Sequence, residues 1–564
     1  MNSEITGIIV TILVTFVLSY PMGKYISKIF KGEKVWTDFF SQVESFVFRL
    51  CKINPHESLD WRSNMKAMLR LNFIFFLWGI TALLIQGYIP LWNPANIGNM
   101  ESTLAYNTAA SFTTNTNLQH YSGETGLSYF SQLTVVCFLQ FVTAATGIAA
   151  LAMLFKALSQ KQSSDLGNFY NLFLKSCTRI LLPVSFAAAI VLLLNGTPAT
   201  FSGQQKAVTL EGDTVNVATG PAAPVIAIKQ AGTNGGGFFG VNSAHPFENP
   251  NYFTNIIETI LILLIPAAMV FSFGFYLNKK KLAIVFFSVM AAFYLLFVSL
   301  TVVLETTGNP EIEKLGISQP GGSMEGKEVR FGSAASALWG VTTTSTSNGS
   351  VNSMHDSQTP LSGGIYLFDM MINSIFGGVG VGFLNFFMFV IIAAFIGGLM
   401  IGRTPEFLGK KIEAREIKIA SLIILLHPFL ILVSTAIASH IAKTDTGIGW
   451  LANPSFHGFS EMLYEFTSSA ANNGSGFEGL ADNTPFWNIM CGTIMLLARF
   501  LPIIGPVAIA GSLAQKKTVP VSEGTLKADS AAFGIILIGV LLVVAALSFF
   551  PALSLGPVAE YFSM

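Results

Sequence analysis

Apolar residues run along this chain in ten long blocks, near 5–22, 71–90, 129–155, 171–194, 253–277, 281–303, 364–400, 417–440, 486–513 and 531–556. A helix needs about 20 apolar residues to cross a hydrocarbon core of roughly 30 Å, and each block meets that length. The pattern predicts an all-α integral membrane protein with ten transmembrane helices. The opening stretch MNSEITGIIVTILVTFVLSY has no basic leader and no clear small-residue cleavage site, so it reads as a retained first helix. The seventh block spans 37 residues. As one helix it would measure about 55 Å at 1.5 Å per residue, too long even when tilted. GGVGVG at 377–382 interrupts it. A helix broken around Gly378, Gly380 and Gly382 is expected; a kink for close helix packing is the alternative.

Four polar loops separate these blocks in a repeating way. They read Thr114-Asn115-Thr116, Thr233-Asn234-Gly235, Ser347-Asn348-Gly349 and Asn472-Asn473-Gly474, with central asparagines 119, 114 and 125 residues apart. Each follows a short segment able to form a half-helix: STLAYNTAASF, APVIAIKQAG, ASALWGVTTT and SEMLYEFTSSA. The unit is helix, re-entrant half-helix, loop, helix, used four times. The repeats cover 71–158 with loop 113–119, 170–278 with loop 232–240, 281–411 with loop 346–350 and broken helix 364–400, and 416–515 with loop 472–476. Outside them lie 1–70, the first span and a basic loop, and 531–564, the last span.

Irregular backbone at membrane depth is tolerated only inside protein or against a watery cavity, so four such loops around one axis would line a central pathway. Half-helices ending there bring partial negative charge, which favours a cation. Backbone carbonyls and Asn or Thr oxygens can replace the water shell of a monovalent ion, and glycine lets the backbone turn its carbonyls. The loop cores lack the acidic residues typical of divalent-cation sites, which points to K⁺ or Na⁺. One such loop alone would read as an ordinary surface turn; four in the same topological position do not. The NGS strings at Asn348 and Asn473 match a glycosylation pattern only by coincidence in this reading. Thr116 stands where the other loops have glycine. A left-handed backbone is costly for threonine, so the first loop is expected to differ in shape.

Composition agrees with the membrane reading. Of the 564 residues, 52% are hydrophobic and only 11% charged, against about 25% charged in soluble domains. The net charge of zero removes nucleic acid as a partner. Lys and Arg concentrate in loops 21–70, 156–170, 278–281, 402–418 and 514–530. The positive-inside bias then puts both termini outside. The four cysteines and seven histidines show no metal-ligand spacing. No GxxxxGK[ST] phosphate loop occurs, and the string nearest to a P-type phosphorylation site, KTDTG at 443–447, has the wrong order. No catalytic site and no resident cofactor are expected in this chain.

Arg499 lies deep in the ninth block, where a charge is costly and faces the protein interior. Asp369 or Glu258 could pair with it structurally; alternatively it repels the ion from a straight inward path and directs it sideways. IGRTPEFLGKK at 401–411, with Arg403, is a basic inner loop, a solvated anchor or a docking surface.

The block GTNGGGFFGVNSAHPFENPN at 232–251 resembles the second filter segment of the channel-like A subunit of the bacterial Kdp potassium-transporting ATPase. YNTAASFTTNTNLQHYSGETGLSYFSQ, NSMHDSQTPL, GLMIGRTPEFLGKKI and SSAANNGSGFEGLADNTPFWN are similar to the same family. The resemblance covers essentially the whole chain. It implies a K⁺-selecting subunit of the bacterial inner membrane that takes K⁺ from outside at a four-loop filter. The ion then passes to a separate P-type ATPase subunit (B), which uses the ATP; a C subunit and a small F-type peptide complete the complex. The implied K⁺ filter is Thr114, Asn115, Thr116, Thr233, Asn234, Gly235, Ser347, Asn348, Gly349, Asn472, Asn473 and Gly474, with Gln119 at a position tied to K⁺ affinity. Gly378, Gly380, Gly382, Arg403 and Arg499 are gating or coupling candidates. A stand-alone K⁺ channel or ion-gradient-driven transporter would share the repeats but lack the 232–251 block.

Overall fold

The computed structural model describes residues 3–445, 447–518 and 526–564. Thr446 of the KTDTG string and 519–525 of the basic loop 514–530 lie outside them. Among the described residues, ten helices are long and apolar enough to cross a membrane: Glu4–Lys31, Trp61–Tyr88, Tyr129–Ser159, Phe169–Leu194, Tyr252–Tyr276, Lys280–Lys314, Val381–Met400, Ala414–Thr444, Pro485–Gln515 and Ala531–Ser563. This is an integral, multi-pass membrane protein. The first helix runs nine residues past the apolar block, because GKYISKIFK buries Ile26 and Ile29 and carries Lys28 and Lys31 in its last turn, where cations suit the helix dipole.

The third, fifth and ninth spans are mostly buried and form the centre. The first, second, fourth, eighth and tenth are mostly exposed. Their exposed side chains are apolar, among them Val17, Phe186, Phe429 and Leu547, as a lipid-facing surface requires. Among the described residues, the departures from an all-α chain are two small antiparallel ribbons, Gln205–Val208 with Thr214–Val217 and Glu406–Phe407 with Lys410–Lys411.

The seventh block is broken as its length requires. Pro360–Ile372 and Val381–Met400 are separate helices. Between them Asn373, Phe376, Gly377 and Gly380 adopt positive φ, which no α-helix accommodates. Gly382 lies in the first turn of the second helix, and its Cα packs against Gly377.

Four further helices are short and buried: Ser102–Thr113, Ala222–Ala231, Gly332–Ser345 and Phe456–Ala471. Each sits between two spans in chain order. Local chemistry fixes the start of the first. Glu101 caps the first, its carboxylate accepting from the amides of Thr103 and Leu104 at 2.8 and 2.9 Å. Hydrogen bonding from Thr103, against a burial that would raise it, holds this carboxyl down at about 2.

Candidate ion-selective site

The four half-helices end in one place. At each end a left-handed residue breaks the helix, and the amide that follows reaches back five residues. Thr116 N donates to the Ser111 carbonyl (2.8 Å), Asn234 N to Lys229 (3.0 Å), Asn348 N to Thr343 (3.1 Å) and Asn473 N to Ser468 (2.9 Å). The left-handed residues are Asn115, Thr233, Ser347 and Asn472. This shared geometry sets the correspondence between loops and moves the first by one residue. Asn115 is equivalent to Thr233, not to Asn234; Thr116 is equivalent to the central asparagines; Asn117 stands where the others have glycine. The exception in shape is therefore Asn117, not Thr116. The TNTN run contains two asparagines, and letter matching chose the wrong one.

The loops touch around a closed ring. Asn115 Nδ2 donates to the carbonyls of Gly232 (3.0 Å) and Thr233 (3.2 Å), and Asn234 Nδ2 to that of Thr116 (3.3 Å). Asn348 Nδ2 donates to the Lys229 carbonyl (3.2 Å) and Asn473 Nδ2 to the Thr343 carbonyl (2.7 Å). Asn472 Nδ2 closes the ring on Thr116 Oγ1 (3.1 Å), beside an Asn117 N–H to the Asn473 carbonyl (3.4 Å). Asn117 also donates through Nδ2 to the Gly349 carbonyl of the third loop (2.8 Å). Gln119 braces the second loop, accepting from Gly237 N (2.8 Å) and donating to its carbonyl (3.2 Å).

The central asparagines are held at both ends of the amide. While Nδ2 grips the preceding element, Oδ1 accepts from the amide two residues on: Gly236 to Asn234 (3.1 Å), Ser350 to Asn348 (2.9 Å) and Ser475 to Asn473 (3.0 Å). These three asparagines act as struts between the loops. The free donors are in the backbone. Among the described residues, the carbonyls of Asn115, Ser347 and Asn472 accept no protein hydrogen bond. The glycines are required by contact as well as by φ. A methyl on Gly235 would strike the Asn348 carbonyl oxygen, and one on Gly349 the Asn473 carbonyl oxygen.

Behind the second and third loops lies a buried polar platform. Lys229 is fully buried and ion-paired with Glu248; its Nζ also donates to Asn242 Oδ1 (2.6 Å) and Ser243 Oγ (2.7 Å). Asn242 holds the Gly235 carbonyl through Nδ2 (2.8 Å). Behind the first and fourth loops, His120 bonds Asn488 Oδ1 (2.7 Å) and Glu465 Oε1 (3.0 Å). Burial alone would lower this imidazole, but the carboxylates of Asp482 and Glu465 outweigh it and hold the ring up at about 9. These long-range partners carry no sequence signature.

The break in the seventh span lies against the half-helix ends. Gly377 N donates to the Ser345 carbonyl (2.8 Å) and Val379 N to Thr233 Oγ1 (2.9 Å). Gly378 faces Ser347 and the Thr346 carbonyl, and Gly380 packs on the Gly147 backbone of the third span. Arg499 is buried there, with an Nη2 that has no hydrogen-bond partner, close to Gly147. The proposed structural ion pairs are absent. Asp369 instead accepts from Thr344 Oγ1 (2.7 Å) and Ser345 Oγ (2.6 Å). Glu258 accepts from Gln230 (2.7 Å) and Ser243 (2.9 Å). Beside the break opens a cavity lined by Asn373, Ser374, Asn385, His427 and Phe549. Arg403 is not part of this centre. It lies on the exposed loop past the far end of Val381–Met400, a helix of about 30 Å.

Comparison with known proteins bears on this arrangement. The family model described as "Potassium-transporting ATPase A subunit" matches residues 9–562. Similar chains named potassium-transporting ATPase potassium-binding subunit come from Flavobacterium johnsoniae, 57% identical over all of both chains, and Phocaeicola vulgatus, 55% identical over all of both. A third, from Geobacillus kaustophilus, is 48% identical over 98% of each. Among solved structures, the potassium transporter TrkH from Vibrio parahaemolyticus shares the fold with a TM-score of 0.52 at 14% identity, over 89% of this chain and 96% of that one. The match along nearly its whole length means that this chain belongs to the potassium-transporting ATPase A-subunit family.

Proposed function

We propose that this chain is the K⁺-binding and K⁺-selecting membrane subunit of an ATP-driven uptake pump. The observation that carries the proposal is the closed ring of four loops at four half-helix C-termini. The half-helix dipoles supply negative potential there, and unpaired carbonyls at Asn115, Ser347 and Asn472 supply neutral oxygens. The strut asparagines and the glycines hold the ring at one size. In this reading the chain is four pseudo-repeats around a central K⁺ pathway, with both termini outside, in the bacterial inner membrane.

K⁺ enters from outside and meets the broken seventh span below the ring. Arg499 places a positive charge there, which opposes a straight inward passage. The cavity beside the break offers a lateral way towards a partner. ATP is used by that partner, a P-type catalytic (B) subunit, accompanied by a C subunit and a small F-type peptide; this chain supplies no catalytic group and holds no cofactor besides its K⁺ cargo. Arg403 and its basic loop are offered as the docking contact.

The test is K⁺ against Na⁺ binding to the purified complex with and without Gly235→Asp. The substitution puts a carboxylate against the Asn348 carbonyl, so K⁺ binding and its preference over Na⁺ are expected to be lost. Unchanged K⁺ binding would remove the filter assignment.

A further inference from the structure

A second cluster of ligating side chains lies apart from the ring, where three chain segments meet. Asp356 follows the third loop by six residues. His457 and Glu461 occupy the first two turns of Phe456–Ala471, the half-helix that ends at the fourth loop. Glu560 belongs to the final helix Ala559–Ser563. His457 Nε2 lies 2.9 Å from Asp356 Oδ1, and His457 Nδ1 lies 2.8 Å from Glu560 Oε1. One ligand atom each from Asp356, His457 and Glu461 fall within 4.8 Å of one another.

Glu461 makes this more than an acidic cluster. It is fully buried, and its Oε2 has no hydrogen-bond partner, while Oε1 accepts from Asn453 N (3.2 Å). A buried carboxylate oxygen without a partner is costly. Asp356, Glu461 and Glu560 thus gather three carboxylates about one imidazole, and Asp356 N also donates to Glu478 Oε2 (3.1 Å). Like charges packed together out of water need a counter-charge. Gly479 keeps the place open: a methyl there would come within 2.6 Å of Glu461 Oε1 and 2.8 Å of Asp356 Oδ2. Access exists, since the His457 side chain is 18% exposed.

We propose that Asp356, His457 and Glu461 bind a divalent metal ion of the zinc type, with Glu560 as the carboxylate that orients the imidazole. A donor set of one imidazole and two carboxylates, with room for water, is that of zinc and its borderline neighbours rather than of Ca²⁺. The Nδ1–H to Glu560 contact is the outer-shell partner that ligating histidines usually have; it leaves Nε2 for the metal. Bound metal joins the last helix to the segments that carry the third and fourth loops. It therefore braces the segments that carry the third and fourth loops.

The test uses the full chain purified in detergent at neutral pH, loaded with Zn²⁺ and desalted, with bound metal counted by mass spectrometry. One retained Zn²⁺ per chain is expected. Glu461→Gln and His457→Gln should lose it, and Glu560→Gln should weaken it ~10-fold. Cys491→Ser should leave it unchanged; Cys491 belongs to the separate buried group with His120 and Glu465. A measurement without substitution guards against misfolding: Zn²⁺ should protect His457 of the unaltered chain from diethylpyrocarbonate, read by peptide mass spectrometry. No retained zinc, zinc retained equally by both ligand variants, or equal His457 modification with and without zinc would each overturn the proposal. In those cases His457 is a protonated bridge between Asp356 and Glu560.

Discussion

Replacing Asn473 by alanine separates a strut from an ion ligand. The side chain makes three buried hydrogen bonds: Nδ2 to the Thr343 carbonyl (2.7 Å), and Oδ1 from Ser475 N (3.0 Å) and Ser475 Oγ (2.6 Å). Asn473 itself is fully buried. Alanine orphans the Ser475 amide of the fourth loop, at about 1–3 kcal/mol, while the Thr343 carbonyl keeps the Asn348 amide (3.1 Å). The Ser475 hydroxyl keeps Tyr464 as a partner (2.8 Å) and adds little. The expected loss is about 1–3 kcal/mol of stability, present already without K⁺. Thermal or denaturant unfolding of the purified chain, with and without K⁺, measures it. K⁺ affinity should fall as well, because the ring loosens, but the loss in K⁺-free stability comes first. If Asn473→Ala left K⁺-free stability intact and removed K⁺ binding alone, the strut reasoning would be wrong and Oδ1 would be a ligand.

Other expectations follow from the neighbouring geometry. Arg499→Gln removes a buried positive charge near the break and should raise uncoupled K⁺ flux into proteoliposomes; unchanged flux would reduce Arg499 to a packing residue. Gly380→Ala places a methyl on the Gly147 backbone at φ +81°, a conformation costing about 1–2 kcal/mol for an L-residue before the collision. It should alter K⁺ leak or transport, and wild-type values of both would remove the gating role of the break. His120 titrates at about 9 in the fold against 6.5 for the free side chain. Its contribution, about 3 kcal/mol at most, is complete below pH 6.5 and lost as pH rises through 9. The stability gap between the unaltered chain and His120→Gln should close between pH 7 and 10; a gap that stays constant or widens would contradict the assigned charge.

The spans were legible because hydrocarbon thickness demands an apolar block of known length, and the seventh betrayed its break by excess length and glycine. The four half-helices were legible because each short segment runs into a polar run holding Asn with Gly or Thr, at near-equal spacing along the chain. The exact correspondence was not: in the first loop Asn115 and Asn117 compete for one letter, and only the amide reaching back to Ser111 decides. The roles of the asparagines were hidden for the same reason. Whether Oδ1 meets an ion or the amide two residues on depends on backbone geometry that composition does not encode. Arg499 was correctly read as buried, yet its expected partners were spent on Thr344, Ser345, Gln230 and Ser243, contacts made across 15 to 28 residues or between separate helices.

Locating the ion tests the central claim most directly. Crystals or particles of the complex should be prepared in Rb⁺ or Tl⁺, heavy substitutes for K⁺, and the ion found by anomalous or difference density. The density is expected inside the ring, within coordination distance of the carbonyls of Asn115, Ser347 and Asn472. Ordered density only beside Asp369 or in the lateral cavity, with none at the ring, would contradict it.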